Sequence, residues 1–311
     1  MDFGKRQTGY EICIWKKSIK YMIKKIIRKF IDEHFLIPMA FKKTSKLQIM
    51  SSMDSIRYII DHKCSLSRFG DGELDSIEGK GGEYQHPSHR LSKMLLECLQ
   101  SDLPNHKVAI PNHLNHYDGK PKQGFWTNYV VGHHKKFLHW FSFDKVYLDT
   151  QLTRFYYEHK DKSHCAEHIG LIKQIWDGRD VVIVEGAKTR SGIGNDLYAN
   201  AKSIRRILGP ALSGFDRYDD IYNFIVNNVS KDKLILLSFG ISATVLAYEL
   251  AKLGYQAIDL GHLDIEYEWF RMGAKDRVPI KGKFTNESED GHNPSQCTDP
   301  KYAEQIIADF S

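Results

Sequence analysis

The sequence of 311 residues lacks any uninterrupted apolar run of the length that crosses a bilayer, about 18 residues. Lysines interrupt every apolar stretch near the N-terminus, so we expect neither a membrane span nor a cleaved signal peptide. Cysteines are few, and no two form a CxxC pair, which argues against a disulfide framework and favours a reducing, cytoplasmic setting. The five cysteines are Cys13, Cys64, Cys98, Cys165 and Cys297.

Two nucleotide-binding fingerprints are also missing. The glycine-rich stretch that begins at Gly186 has no Gly-Lys-Ser/Thr opening a helix, so it is not a P-loop, and it lacks the three spaced glycines of the dinucleotide motif. The basic residues outside the N-terminal region form no stripe suited to nucleic acid. What remains is an ordinary globular composition, 41% hydrophobic and 27% charged, with a formal net charge of +5.

Acidic residues are absent from residues 13–31, a segment with an amphipathic pattern. We predict a basic helix over 12–31 that lies on an anionic membrane surface without crossing it, within an N-terminal helix and linker over 1–45. The alternative is a helix packed on the catalytic domain or a partner, with a solvated basic face. The apolar face carries Ile12, Trp15, Ile19, Met22, Ile23, Ile26 and Phe30, and the rest carries Lys16, Lys17, Lys20, Lys24, Lys25, Arg28 and Lys29.

Short apolar strands alternate with amphipathic helices from about residue 51 onward. Asp180–Val184 is continuously apolar after its first residue, as in a strand buried on both faces of a parallel sheet. The pattern predicts a doubly wound α/β fold with a mostly parallel sheet, in a globular domain over 46–290 with a tail over 291–311 packed on it. The predicted strands are 64–69, 108–110, 145–148, 180–184, 234–237 and 257–260.

Polar clusters fall where these strands end, and in doubly wound sheets ligands bind outside the carboxyl ends of the strands. In the first cluster, Asp71 and Glu73 lie two positions apart among glycines. Carboxylate oxygens suit a hard divalent cation such as Mg²⁺ or Mn²⁺. Arg68 either pairs with a phosphate or neutralises the two acids. Acid-Gly-acid triplets also occur in ordinary surface turns.

The second and third clusters offer places for an anion. The loop from Glu185 to Asn195 carries basic residues and precedes a possible helix start, whose free N–H groups suit a diphosphate; a plain surface loop is the alternative. Further on, Lys202 is expected to turn inward. Residues 238–244 are mostly small and precede a helix, which suits either an anionic ligand or close helix–strand packing.

The fourth cluster places four ionisable groups directly after a buried strand, within residues 262–268. On a helix, Asp264 and Glu268 share a face. We predict that His262, Asp264 or Glu268 is the general base that deprotonates an acceptor hydroxyl, and these residues alone do not rank the three. Helix capping with a solvated face is the alternative.

The chain resembles the GT-D-type bacterial glycosyltransferases, a family first catalogued as a domain of unknown function in streptococcal adhesin glycosylation and polysaccharide loci. Four stretches carry the resemblance in order: SRFGDGE (67–73), VIVEGAKTRSGIGNDLYANAKSIRRILGP (182–210), LLSFGISATVLAYELAKLGYQAIDLGHLDIEYEW (236–269) and KGKFTNE (281–287). The resemblance implies a Rossmann-like fold, a UDP-sugar donor, and Mn²⁺ or Mg²⁺ held through an Asp-x-Glu motif that maps onto Asp71 and Glu73. The predicted donor-binding residues are Arg68, Phe69, Gly70, Gly72, Glu185, Arg190, Gly194, Asn195, Lys202, Ser238, Gly240 and Thr244.

Together these features predict a metal-dependent enzyme that transfers a hexose from UDP-glucose or UDP-galactose to a glycan acceptor. The acceptor is expected to be a lipid-linked surface polysaccharide or an adhesin glycan, and the enzyme to be peripheral on the inner face of a bacterial plasma membrane. Residues 281–287 are expected to form a lid over the donor. One alternative is another Rossmann-like nucleotide-dependent enzyme, such as an oxidoreductase, against which the missing dinucleotide motif counts. The other is a non-enzymatic membrane-bound scaffold, which leaves the strand-end carboxylates without a purpose.

Overall fold

The computed structural model describes residues 20–28, 30–116 and 124–311. The chain divides into two compact units, one from within 1–47 and 113–139 and the other from 48–112 and 140–311. This division differs from the predicted boundary near residue 45, because residues 113–139 group with the N-terminal segment and not with the sheet.

The described part of the first unit is helical. Residues 20–28 and 30–31 form a helix, followed by a π-helical turn at Asp32–Leu36 and helix α1 at Ile37–Thr44. Residues 37–44, within the helix and linker predicted over 1–45, are thus helical. Pro38 lies in the first turn of α1, where its missing N–H costs nothing. Residues 12–19 and Lys29 of the predicted basic helix lie outside the described residues. No helix in the described ranges is both long and apolar enough to cross a bilayer.

The second unit contains a nine-stranded sheet in which every recorded strand pair is parallel. The spatial order of its strands is β1-β4-β3-β2-β8-β7-β5-β6-β9. This confirms the predicted doubly wound α/β fold. The strands are β1 (Gln48–Ile49), β2 (Ser65–Arg68), β3 (His106–Ile110), β4 (Val146–Asp149), β5 (Asp180–Gly186), β6 (Ser203–Gly209), β7 (Leu234–Ser238), β8 (Gln256–Asp259) and β9 (Ile306–Asp309).

Helices follow the strands in the alternating pattern that the sequence predicts. Short 3₁₀ turns lie at Asn112–Leu114, Thr150–Thr153, Gln174–Trp176, Gly214–Arg217 and Glu289–Gly291. The remaining α-helices are α2 (Ser52–His62), α3 (Asp71–Ile77), α4 (His89–Gln100), α5 (Phe125–Trp140), α6 (Cys165–Lys173), α7 (Tyr218–Asn228), α8 (Ile241–Lys252), α9 (Leu263–Met272) and α10 (Pro300–Gln305).

The connections after β2 and β8 leave the sheet toward opposite faces. After β2 the chain continues to α4, which packs with α8, and Ser67 of β2 donates a hydrogen bond to the Thr244 carbonyl of α8. After β8 it continues to α9, whose apolar residues share a core with α2 and α6 on the other face. Because β2 and β8 are neighbours, their carboxyl ends form a switch point. Doubly wound folds bind ligands in a crevice outside such a switch point, and we call this place the crevice.

Three strands, β1, β6 and β9, were not predicted from the sequence. β6 contains two arginines, and the second of them, Arg206, is buried because it pairs with Glu185 of β5 at 2.6 Å. The helix start expected after Asn195 is absent from these described residues, which form turns leading into β6. β1 has two residues and β9 four, too few for a periodic pattern, although β9 makes the tail an edge strand beside β6.

Candidate functional site

Arg68 ends β2 and is held by Asp259, the last residue of β8. Its Nη2 lies 3.1 Å from Oδ1 of Asp259, its Nε donates to the Asp259 carbonyl at 2.9 Å, and its Nη1 donates to Thr153 at 2.8 Å. Burial raises the pKa of Asp259, and the guanidinium opposes that rise. Arg68 therefore neutralises Asp259, an acid that neither of its two predicted roles included.

The arginine passes so close to Gly261 that a Cβ there would lie 1.7 Å from Nη2 of Arg68. Gly261 also has φ of +50°, a conformation that residues with a side chain rarely adopt. This glycine therefore makes room for the ion pair that joins the two strands at the switch point.

The Asp71–Glu73 motif opens helix α3. Gly70 is the N-cap, and Oε2 of Glu73 accepts its N–H at 2.7 Å, so the side chain turns back toward the start of the helix. Asp71 lies in the same first turn and is exposed. Burial raises the pKa of Glu73 to about 7. Both carboxylates thus sit at one end of α3, next to the crevice. Phe69 is fully buried, so its side chain serves the core.

The donor set at this end of α3 fits a hard divalent cation. Magnesium commonly uses one or two protein carboxylates and completes its shell with water and phosphate oxygens. A cation beside Glu73 would also favour its charged form, which burial disfavours. Gly72 leaves space here, since a Cβ would meet only Ile241 of α8, at 3.5 Å.

The loop after β5 uses its polar groups within the fold. Glu185 accepts from Arg206 and from the Ser191 N–H at 2.7 Å, and burial raises its pKa. Arg190, at φ +52°, donates to the carbonyls of Gly282 and Ser295. These contacts engage Glu185 and Arg190 within the fold, and their contact with the donor remains a prediction.

Lys202 lies at the amino ends of the strands, away from the polar clusters at their carboxyl ends. It precedes β6, its side chain is 68% exposed, and its Nζ is 3.3 Å from Asp180 at the start of β5. The expectation that Lys202 turns inward is therefore wrong, because the crevice lies at the carboxyl ends of the strands and Lys202 lies at their amino ends.

The segment after β7 places the start of α8 at the crevice. Gly240 is the N-cap, with φ of +54°, and Ser238 is buried. The hydroxyl of Thr244 donates to the Arg68 carbonyl at 3.0 Å and lies 3.3 Å from Oδ2 of Asp259. The Thr244 hydroxyl thus contacts both partners of the Arg68–Asp259 pair. Gly240 has no side chain, so the first turn of α8 has no side-chain cap.

Two of the three candidate bases belong to a buried charge cluster. Lys283 lies 2.6 Å from Oδ2 of Asp264 and 3.2 Å from Oε1 of Glu268. Asn195 donates to both acids, at 2.8 and 2.7 Å. We call these four residues the Lys283 clasp. Gly194 contributes its carbonyl to Arg271 nearby. Because the clasp occupies Asp264 and Glu268, their predicted role as general base is not supported.

The third candidate, His262, follows β8 at the crevice. Its Nδ1 is 3.2 Å from Nη2 of Arg154. Burial and then the charge of Arg154 lower the pKa of His262 to about 4, so the ring is neutral at pH 7. Since Arg154 donates to Nδ1, the ring proton is on Nε2. His262 is therefore a hydrogen-bond donor at Nε2.

Sequence reasoning did not single out Arg154 or Asp259, and it included Lys283 and Glu287 only within the predicted lid segment 281–287. Arg154 pairs with Glu287 at 2.6 Å, a contact between residues 133 positions apart. Burial opposes ionisation of Glu287, but Arg154 holds its pKa below the usual value. The sequence did contain one signal of these contacts. Asp259 is an acid inside a buried strand, and a buried charged group requires a partner.

Known proteins resemble this chain in sequence and in fold. The glycosyltransferase GT-D fold profile matches residues 66–288. "Glycosyltransferase GlyD" of Streptococcus pneumoniae is 35% identical over 265 residues, which cover 84% of this chain and 32% of that protein. "Probable glycosyl transferase Gly" of Streptococcus gordonii is 33% identical over 276 residues, 86% of this chain and 39% of that protein. The chain thus spans about a third of the length of these curated relatives.

Solved structures show the same relation. A chain described as "the highly conserved domain of unknown function 1792", with "a distinct glycosyltransferase fold", superposes with a TM-score of 0.82 at 34% identity, covering 88% of this chain and 100% of the other. "A New Glycosyltransferase (DUF1792)" from Streptococcus sanguinis gives 0.78 at 32% identity, covering 85% and 100%. The fold and site define an α/β protein with a switch-point ligand crevice. The chain belongs to the family of glycosyltransferases with the GT-D fold.

Proposed function

We propose that this chain transfers a hexose from a UDP-sugar, UDP-glucose or UDP-galactose, to a glycan acceptor, and that Asp71 and Glu73 hold Mn²⁺ or Mg²⁺ against the donor diphosphate. The observation that carries the proposal is the position of this acidic pair, at the mouth of the switch-point crevice in a chain of the GT-D family. The missing dinucleotide motif disfavours an oxidoreductase on the same kind of sheet.

When bound, the cation supplies charge neutralisation for the departing diphosphate. The chain's own contribution is to place groups around the donor. Gly70 and Gly240 keep the starts of α3 and α8 free of bulky side chains. The Arg68–Asp259 pair fixes the relative position of the β2 and β8 ends and leaves no net charge there. The remaining predicted donor residues near the crevice, Gly72, Ser238 and Thr244, shape and support its floor.

We further propose that His262 orients a substrate oxygen through its Nε2–H. A ring that is neutral at pH 7 and whose Nδ1 accepts from Arg154 donates at Nε2 and takes no proton there. Its contribution is then positional. Glu287 holds Arg154 at this place, so the segment 281–287 shapes the crevice and remains our candidate for a lid.

The proposed acceptor is a lipid-linked surface polysaccharide or an adhesin glycan, which would be extended at the inner face of the plasma membrane. The names of the streptococcal relatives as glycosyltransferases support the general chemistry, and the acceptor is our proposal.

Release of UDP from UDP-glucose and UDP-galactose tests the donor half of this proposal. We expect hydrolysis that requires Mn²⁺ or Mg²⁺ and stops with a chelator. Asp71→Asn should lower the rate about 100-fold while keeping the fold, because it removes a charged ligand from an exposed position. Asp219→Asn, at an exposed acid paired with Arg90, should leave the rate unchanged. Full activity without metal, or in Asp71→Asn, would refute the proposed metal role.

A further inference from the structure

The helix formed by residues 20–28 and 30–31 presents an apolar face that stays exposed among the residues that the structure describes. Met22, Ile26 and Phe30 recur every fourth residue and are 55%, 61% and 55% exposed. Ile23 and Ile27 continue the same face at 49% and 53%. Residues four apart lie one above the other on a helix, so these side chains form one stripe.

The other side of this helix is basic. Lys20, Lys24 and Arg28 recur every fourth residue, Lys25 lies beside them, and all four are exposed. The sequence has no acid from 20 to 31. Apolar and basic residues therefore divide the circumference of the helix between them. A helix of this kind suits an interface that is apolar below and anionic above.

The positive charge of this helix indicates which kind of partner covers its apolar stripe. Two copies of this helix packed through their apolar stripes would cover the stripe but leave the basic side without an opposite charge, since residues 20–31 contain no acid. An anionic lipid surface satisfies both sides, because lipid tails accept the stripe and headgroups attract the lysines. The described helices are too short or too polar to cross a bilayer, so the segment would lie along the surface.

We propose that residues 20–31 bind the headgroup region of an anionic bilayer, with Met22, Ile23, Ile26, Ile27 and Phe30 inserted. Such binding adds to the proposed function the surface that would hold the enzyme beside its acceptor. The biological purpose of the binding rests on the proposed function. The binding itself is measured separately from activity.

Co-sedimentation of the full chain with vesicles tests the proposal. We expect binding to vesicles of 70% phosphatidylcholine and 30% phosphatidylglycerol, and at least tenfold weaker binding to pure phosphatidylcholine. Ile26→Gln/Phe30→Gln should lower binding at least tenfold by removing inserted side chains. Lys24→Gln/Lys25→Gln should lower it about 25-fold, since each basic residue near such a surface contributes about fivefold.

Lys202→Gln and Leu212→Gln serve as matched controls, because they remove an exposed charge and an exposed apolar side chain elsewhere. Both should bind like the wild type, and circular dichroism should show every variant folded. Equal binding by the helix variants and the controls would overturn the proposal. So would a dimer, seen by size exclusion, that Ile26→Gln/Phe30→Gln abolishes, since the stripe would then bind a second copy. Hydrolysis of UDP-sugar is read in parallel, so that failure of the enzymatic proposal is seen independently.

Discussion

Replacing Lys283 with methionine should destabilise the second unit strongly. Lys283 and Asp264 are each 4% exposed and 2.6 Å apart, and Glu268 lies 3.2 Å from the same ammonium group. Methionine keeps the apolar stem of the lysine and removes the charge. The two acids of the Lys283 clasp would then share only Asn195, Arg271 and backbone donors.

The magnitude follows from the burial of the pair. Removing one partner of a buried ion pair costs about 3–5 kcal/mol, because the other charge remains buried without compensation. For a unit of this size each kcal/mol lowers Tm by about 2–4 °C, so we expect a fall of about 10 °C. Lys202→Met gives the matched comparison: its ion pair is 68% exposed on the lysine side and should be worth less than about 1 kcal/mol.

Urea denaturation at pH 7.5, followed by tryptophan fluorescence and checked by calorimetry, measures both variants. Lys283→Met/Asp264→Asn should recover part of the loss, because the second change removes one of the stranded charges. A loss below about 1 kcal/mol for Lys283→Met, or no difference from Lys202→Met, would refute the view that the clasp is a buried electrostatic unit.

Two further predictions concern the fold around the crevice. Gly261→Ala should cost more than Gly254→Ala in urea denaturation, since both glycines have positive φ but only Gly261 abuts Arg68; equal losses would contradict the close approach. Acid should destabilise the protein through His106. Burial, and then the charge of Lys145, lowers the pKa of this histidine to about 3. The unfolded chain binds this proton first, so stability holds above pH 6.5 and falls by about 4 kcal/mol toward pH 3. His106→Gln should flatten that slope, and an unchanged slope would exclude His106 as its source.

The helices and buried strands could be predicted because their signals are local. Ser51 caps α2 by accepting the N–H of Asp54, and Ser88 caps α4 in the same way. β5 and β7 are continuous apolar runs, as expected of strands covered on both faces. β6 was missed because the buried Arg206 depends on partners distant in sequence, Glu185 at 21 positions and Gln305 at 99 positions. Periodicity carries no information about such a pairing.

The strand-end location of the polar clusters could be predicted from the sequence, but the contacts of their side chains could not. The clusters at the carboxyl ends of β2, β7 and β8 do line one edge of the sheet. Which side chains remain available there depends on partners distant in sequence: Asp259 engages Arg68 from 191 positions away. Lys283, from a segment that the sequence suggested as a lid, engages Asp264. A sequence pattern shows that charges lie near a strand end, and only the folded chain shows which of them neutralise each other.

Binding of UDP in the presence of Mn²⁺ is the most direct test of the proposed donor site. Isothermal titration of the full chain should show saturable, metal-dependent binding of UDP and none of NAD. The variant Asp71→Ala/Glu73→Ala should lose that binding while keeping the wild-type circular dichroism spectrum. Absence of UDP binding with either metal, or binding that persists in the double variant, would contradict the assignment of this acidic pair as the place where the donor diphosphate is held.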